Sequence, residues 1–149
     1  MKPQPNILLA LLLCLTTAAS YSQTDNRPKI FQNLPETIAL TEASLQYAFT
    51  ASEGQDINLP LSSIFSFPGK VLSNLVKYHN LQSITIRSAV YDNAILHLSK
   101  IINDDNTISY VGRIMNERAY DGYEIKRKAD GSYNLVKFET GLVMQDCSF

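Results

Sequence analysis

Ile84-Thr85-Ile86-Arg87-Ser88 is the stretch that decides the fold. Apolar and polar side chains alternate along it, so both isoleucines point to one face of a β-strand while Thr85 and Arg87 point to the other. A strand with one apolar face buries that face against a core, and later segments repeat the pattern. We therefore interpret the region from about Gln82 to Cys147 as a run of short strands around which the rest of the chain is arranged.

Turn residues separate the strands that follow. Tyr91-Asp92-Asn93 and Asn103-Asp104-Asp105-Asn106 carry side chains that satisfy nearby backbone groups and tolerate unusual φ. Asp130-Gly131 is the strongest hairpin signal, because glycine accepts φ > 0 at no steric cost. Ala94 to Ile102 and Thr107 to Met115 lie between these turns and are rich in residues that favour strands. Turns recur about every 8–12 residues, which is typical of an antiparallel meander, sandwich or barrel.

The strand 107–115 carries two further expectations. Tyr110, Gly112 and Ile114 share one face, while Val111 and Met115 lie on the other. Because both faces are partly apolar, we expect a central strand that is covered on both sides. A glycine inside a strand also predicts a bulge or the close approach of another backbone.

One short helix is predicted before the meander, from about Glu42 to Thr50. Thr41 can cap its first turn, and Gly54 is a candidate for its end. Pro60 indicates an edge strand, because proline cannot donate to a ladder. Phe67-Pro68-Gly69-Lys70 has the residues of a turn, with proline and then glycine at the central positions.

These signals together predict a mainly β (α+β) fold. It is an antiparallel β-meander of about eight short strands, sandwich or barrel-like, with one short N-terminal helix packed on it. The 149 residues are one domain's length. We expect residues 1–22 to be a signal peptide, 23–35 an extended or disordered N-terminal segment, and 36–149 a single β-rich domain.

The first residues have the pattern of a secretory signal. Lys2 gives a positive start, Ile7 to Leu15 is apolar, and Ser20-Tyr21-Ser22 fits the small-x-small rule, which leaves Gln23 as the mature N-terminus. We therefore expect a secreted, periplasmic or cell-surface protein without a transmembrane segment, because no apolar run is long enough to span a bilayer. Cleavage leaves Cys147 as the one cysteine, which can be buried, reactive or bridged between chains.

The sequence shows no catalytic signature. His79 and His97 stand outside any zinc-ligand spacing, and the turn 103–106 lacks the spacing of an EF-hand. Nucleophile-elbow, phosphate-loop and dinucleotide-binding motifs are missing from the chain. The formal net charge of -1 gives no footprint for nucleic acid. We therefore expect a protein that is not an enzyme and that uses no cofactor or metal.

The connection 116–122 is the best candidate for a partner contact. Tyr120 lies there beside Arg118 and Asp121, and an exposed tyrosine gives rigid contact area with a polar tip. The other tyrosines of the late meander we expect to be core or cross-strand packing. The first hypothesis is a secreted non-catalytic protein-binding module, such as an inhibitor or an accessory subunit, whose protein partner is unknown and whose oligomeric state is open.

Two alternatives are kept. In the first, the sheet closes into a β-barrel carrier for a small apolar ligand; an interior cavity of several hundred Å³ would favour it and a filled core would oppose it. The residues expected to line that lumen are Ile84, Ile86, Leu96, Leu98 and Tyr110. The second is a hydrolase with an unrecognised site, which requires a cleft that joins His79 or His97 to an acid and a hydroxyl.

Three motifs carry a resemblance. Leu98-Ser99-Lys100-Ile101, Tyr110-Val111-Gly112-Arg113-Ile114 and Asp121-Gly122-Tyr123-Glu124-Ile125 resemble a pattern of short, uncharacterised secreted proteins of Gram-negative, Bacteroidetes-type bacteria. The ending Tyr21-Ser22-Gln23 is similar to secretory signals of the same bacteria. The resemblance covers roughly the last third of the chain. Its motifs are structural, so it implies export and brings no functional residues with it.

Overall fold

The structure, a computed structural model, describes residues 25–141. Among these residues there are one helix and eight strands, with the following bounds: β1 Thr37–Leu40, α1 Glu42–Ala48, β2 Asp56–Pro60, β3 Ser66–Tyr78, β4 Leu81–Ser88, β5 Ala94–Ile102, β6 Ile108–Met115, β7 Asp121–Arg127 and β8 Tyr133–Glu139. The strands form one antiparallel sheet in the order β1-β8-β7-β6-β5-β4-β3-β2. The sheet curls into a half-barrel, which confirms the predicted mainly β antiparallel meander with a short N-terminal helix.

The core lies on the inner face of the sheet. Ile84 and Ile86 of β4 are at most 1% exposed, and Leu96 and Leu98 of β5 are equally buried. Leu45 of α1 is fully buried against them. The period-two alternation of the sequence thus placed one apolar row of each strand in the core, as predicted.

The helix begins where the sequence indicated and ends earlier. Thr41 Oγ1 accepts a hydrogen bond of 3.2 Å from the Ser44 amide, which confirms the cap. The helix ends at Ala48 with Phe49 as its C-cap, so the prediction that Gly54 ends it was wrong. Gly54 instead has φ +80° and donates its N–H to the Val71 carbonyl at 2.8 Å, which leads the chain into β2.

The turn predicted over residues 67–70 was also wrong, because this stretch lies inside β3. Val71 N–H donates towards β2, to the Gln55 carbonyl, so by alternation the nitrogen of Pro68 faces the side of β4. Lys70 and Arg87 are the last residues that pair between β3 and β4, and Pro68 lies beyond them. Its missing N–H therefore costs no ladder hydrogen bond. β2 lies at the edge of the sheet, which confirms the interpretation of Pro60.

Two glycines mark places where strands approach too closely for a side chain. A Cβ at Gly69 would lie 2.5 Å from the Arg87 carbonyl oxygen, and a Cβ at Gly112 would lie 2.5 Å from the His97 carbonyl oxygen. Gly112 pairs with Leu98 in unbroken register. The close approach predicted for Gly112 is thus confirmed, and the alternative, a bulge at Gly112, does not occur.

β6 is central, but the expectation that both of its faces are covered was wrong. Tyr110 on the inner face is 2% exposed, whereas Val111 on the outer face is 49% exposed. The alternation that buries one row of side chains leaves the other row in solvent. The outer face of the half-barrel is therefore a surface, even where it carries apolar residues.

Residues 25–35, which we call the strap, lie across one end of the inner face. The Phe31 side chain enters the core and is 1% exposed. The amides of Ile30 and Phe31 donate to the Asp121 carboxylate at 2.8 and 3.1 Å. At its start the strap is joined to the connection before β7 by a hydrogen bond of 3.0 Å from Arg27 to the Glu117 carbonyl.

The predicted signal peptide, its cleavage at Gln23, and Cys147 lie outside the described residues. Within the part of the chain that the structure covers, no helix is long and apolar enough to cross a membrane.

Candidate functional site

The three predicted contact residues differ in exposure. Arg118 is exposed and Tyr120 is half-buried. Asp121 is 3% exposed, and its carboxylate accepts the two strap amides. Asp121 thus fastens the strap to the sheet, which corrects the expectation that its side chain meets a partner; Tyr120 keeps part of its ring at the surface.

Tyr120 forms one wall of a groove of about 660 Å³ between the strap and the end of β8. The groove opens to solvent, and its lining is mostly polar with two aromatic rings. Its lining consists of Lys29, Gln32, Glu36, Tyr120, Asp121, Lys137, Phe138 and Glu139.

Charged groups stand close to the aromatic walls of this groove. Lys29 Nζ lies 4.9 Å from the centroid of the Tyr120 ring, a cation–π distance. The Glu139 carboxylate, by hydrogen bonding to the Tyr120 hydroxyl, raises the pKa of Tyr120. Lys137 Nζ donates to the Leu34 carbonyl at 2.7 Å and to Glu36 Oε1 at 3.1 Å. Lys137 is thus held in place by two polar partners, whereas the contact found for the Lys29 ammonium group among residues 25–141 is the Tyr120 ring.

The main chain of β8 runs further than its neighbour β1. The last pair between them is Thr37 with Val136, and Lys137 N–H still donates to the Glu36 carbonyl at 2.8 Å. Phe138 and Glu139 continue past this point beside the groove. On one side they face β7, and on the other they face the space that an extension of β1 would occupy.

The outer face of the sheet is the second candidate surface. Leu75 is 53% exposed, Tyr78 67% and Val111 49%. The register aligns them in two adjoining rows, because Leu75 lies in the row of Ser83, Ser99 and Val111, and Tyr78 lies in the row of Leu81 and Ile101. The half-buried Leu81 and Ile101 of the second row connect the exposed residues of β3 to Val111, so the apolar side chains form one patch beside the hydrogen-bonded pair Ser83 and Ser99.

Cations also stand on this face. Lys70, Arg87, Arg113 and Lys126 stand on the outer side of their strands, and Lys77 lies close enough to His97 to help lower its pKa. Glu124 binds two of them, with its carboxylate 2.9 Å from Arg113 and 2.6 Å from Lys126. The hydrogen bond from Lys126, more than that from Arg113, lowers the pKa of Glu124.

The histidines have surface positions. His97 lies on the outer face, 3.2 Å through Nδ1 from Thr85 Oγ1, and partial burial lowers its pKa. Glu124, the carboxylate two strands away, is held by Arg113. His79 is exposed in the turn between β3 and β4. Among residues 25–141, no group of three or more histidine, cysteine, aspartate or glutamate side chains could hold a metal ion.

The five residues expected to line a carrier's lumen form a filled core. Each is at most 2% exposed, and all belong to one buried cluster. The cavities described among residues 25–141 have none of them in their walls. One buried side-chain polar atom in that part of the chain lacks a partner, the hydroxyl of Tyr110, whose ring packs against those of Phe49 and Tyr133.

Sequence reasoning missed most of the groove. Lys137 and Leu34, which touch across it, are separated by 103 positions, and no local pattern connects them. The usable signal was the tyrosine in a polar connection, which did identify Tyr120.

No protein-family model matches this chain, and neither a curated protein nor a solved structure is similar enough to count as a match. The relationship of this chain to short secreted proteins of Bacteroidetes-type bacteria therefore stays a prediction. Function has to be inferred from the geometry of the groove and the outer face.

Proposed function

We propose that the chain is a non-catalytic protein-binding module that acts outside the cytoplasm and meets its partner with the outer face of the half-barrel. The observation that carries the proposal is the patch of exposed apolar side chains on that face, together with the cations that stand on the same face. An inhibitor and an accessory subunit are two forms that such a module can take.

The patch has the composition of a protein interface. Single exposed apolar residues are normal on protein surfaces, but adjoining ones mark interaction sites. The centre of an interface is enriched in aromatic and apolar residues and depleted of charge, and its rim is polar. Tyr78, Leu75 and Val111 supply such a centre, since the register brings their rows together.

The charge of the face specifies the partner's surface. The whole chain has a formal net charge of -1, so the cations of the outer face reflect their distribution rather than a basic protein. Complementary potentials across an interface steer the encounter and exclude wrong partners. The proposed partner is therefore a protein whose contact surface is apolar at its centre and acidic at its rim.

The test is lysine-directed cross-linking of the exported, untagged protein in its own host, followed by mass spectrometry. Lys70, Lys77 and Lys126 report on the outer face, while Lys29, Lys100 and Lys137 report on the groove and the inner face. We expect a second polypeptide cross-linked mainly to the first three lysines. Uncross-linked monomer, or cross-links confined to the other three, would overturn the proposal.

A matched pair of variants sharpens this test. The double variant Leu75→Glu, Val111→Glu places two anions in the exposed patch, and we expect it to reduce the recovered partner at least tenfold. Ile64→Glu is the control, since Ile64 is 61% exposed in the connection between β2 and β3, outside the patch. Equal recovery with the double variant and the control would contradict the assignment of the face.

A further inference from the structure

We infer that the groove beside Tyr120 is a second binding site, which takes an extended peptide segment that lies along the end of β8 and places an acidic side chain at Lys29. The inference rests on the proposed binding function and names a class of ligand for it. It does not depend on Leu75 or Val111, the two outer-face residues changed in the double variant, so the two proposals can fail separately.

At the end of β8, the main chain has an N–H group that points towards the position of such a ligand. Lys137 N–H donates towards β1, and Thr140 N–H donates the opposite way, to the Tyr120 carbonyl at 2.8 Å. Since N–H groups alternate in direction along a strand, the Glu139 N–H points to the same side as that of Lys137, into the groove. An extended segment laid there would continue the line of β1 and gain main-chain hydrogen bonds from the edge.

The side chains of the groove select among extended segments. Successive residues of an added strand point to opposite faces. One would lie on the side of Phe138, whose ring packs over Gly122 on the outer face. Tyr120 and Lys29 form another part of the lining. The sequence preference is thus for a short segment that carries both an apolar residue and an acidic one.

Lys29 is the cation that this acidic side chain would meet. The other groove lysine, Lys137, already pairs with Glu36 at 3.1 Å. Lys29 has its ammonium group over the Tyr120 ring, and among the described residues no carboxylate lies within ion-pair distance of it. A carboxylate brought in by a ligand would complete the site, in which the ring already positions the ammonium group.

The experiment is selection from a library of random heptapeptides displayed at the N-terminus of a phage coat protein, against the full exported chain. In this format the peptides have no free carboxyl terminus, so a carboxylate must come from a side chain. We expect enriched peptides to share an acidic residue together with an apolar one. No enrichment over phage without an insert, or enriched peptides without an acidic residue, would overturn the inference.

Variants of the chain then locate the bound peptide. Binding of the best synthetic peptide should weaken at least tenfold with Lys29→Glu, which reverses the charge, and with Glu139→Pro, which removes the N–H. Lys100→Glu, near Phe49 at the other end of the sheet, should leave it unchanged. Unchanged binding to Lys29→Glu would contradict the site.

Hydrogen exchange in the unaltered protein provides a second test, which remains valid even if one of the variants does not fold. The Glu139 amide should exchange more slowly when the synthetic peptide is bound, and equal exchange rates would contradict the proposed pairing. A peptide whose binding is lost in the outer-face double variant and kept in Lys29→Glu would overturn this inference and leave the proposed function standing.

Discussion

The two ends of the inner face are closed in different ways. At the strap end, Phe31 packs between Tyr91 and Tyr123, with ring centroids 5.3 Å away in each case, and Phe65 completes the cluster at 6.2 Å from Phe31. At the helix end, the Phe49 ring lies 6.3 Å from that of Tyr110. One end is thus sealed by segments from distant parts of the chain, and the other by a short local helix.

The polar groups show the same difference. At the strap end, Asp121 accepts two amides, and the Tyr123 hydroxyl donates to the Pro35 carbonyl. Burial raises the pKa of Tyr123 to about 12, which keeps that donor protonated. At the helix end, Asn74 donates to two carbonyls after α1, yet the Tyr110 hydroxyl finds no partner among the described residues. The end assembled from distant segments is therefore the more completely satisfied one.

The largest expected effect comes from truncating one aromatic ring at each end. Phe31→Ala should reduce the free energy of unfolding by about 3–5 kcal/mol, because a fully buried ring leaves a cavity. Phe49→Ala should reduce it less, because this ring is half-buried. Urea denaturation monitored by circular dichroism measures both. Equal losses would show that the two ends are packed equally well.

The next pair removes polar anchors. Asp121→Ala deprives two strap amides of a charged acceptor, and hydrogen bonds to charged groups contribute about 1.5–3 kcal/mol. Asn74→Ala removes two neutral hydrogen bonds at the helix end and should cost nearer 1–2 kcal/mol. Asp121→Asn keeps one acceptor oxygen, so its loss of unfolding free energy should lie between the losses caused by Asp121→Ala and Asn74→Ala. A larger loss for Asn74→Ala would reverse the comparison.

A smaller difference in unfolding free energy is expected when the hydroxyl group is removed from each of two buried tyrosines. Tyr123→Phe loses a hydrogen bond and should cost about 1 kcal/mol, whereas Tyr110→Phe removes a hydroxyl without a partner and should be neutral or slightly stabilising. Both variants keep the ring, so packing is constant within the pair. Destabilisation by Tyr110→Phe equal to that by Tyr123→Phe would show that the Tyr110 hydroxyl is satisfied in solution.

The smallest expected effect on stability comes from His97, which lies at neither end of the inner face and therefore serves as a reference for the comparison. Partial burial and then Lys77 lower the pKa of His97 below 6.5, so the unfolded chain binds a proton more readily than the folded one. The contribution of His97 is present above about pH 6.5 and decreases as the pH falls through the lowered pKa. His97→Gln should therefore flatten the decline of unfolding free energy between pH 7.5 and 5. The same flattening should appear in the Phe31→Ala and Phe49→Ala backgrounds, since His97 lies on the outer face.

The sequence predicted those features of the fold that depend on neighbouring residues. Alternation in β4 and β5 identified their buried rows, and Asp92-Asn93 and Asp130-Gly131 marked turns with positive φ. Pro68-Gly69 misled, because these two residues suit a turn and equally suit the end of the ladder between β3 and β4, where the Arg87 carbonyl oxygen leaves no room for a side chain at position 69. Only the pairing of β3 with β4 distinguishes a turn at Pro68-Gly69 from a continuous strand.

The candidate site was less predictable, because its parts are far apart in the chain. Tyr120 was found through its residue type and its loop. The role of Asp121 depends on amides about 90 positions earlier, and its sequence context is that of a surface turn. The apolar patch on the outer face required the register of four strands, which sequence alone does not give.

The attachment of the strap also has a consequence for the order of folding. Ile30 and its acceptor Asp121 are 91 positions apart, and β1 pairs with β8, the last strand of the sheet. Contacts between distant positions form late, because the chain must first lose the entropy of a long loop. During synthesis, Phe31 emerges long before the residues that bury it. Phe31, the first core residue among those described, thus acquires its contacts late, and until then its ring is exposed to other chains.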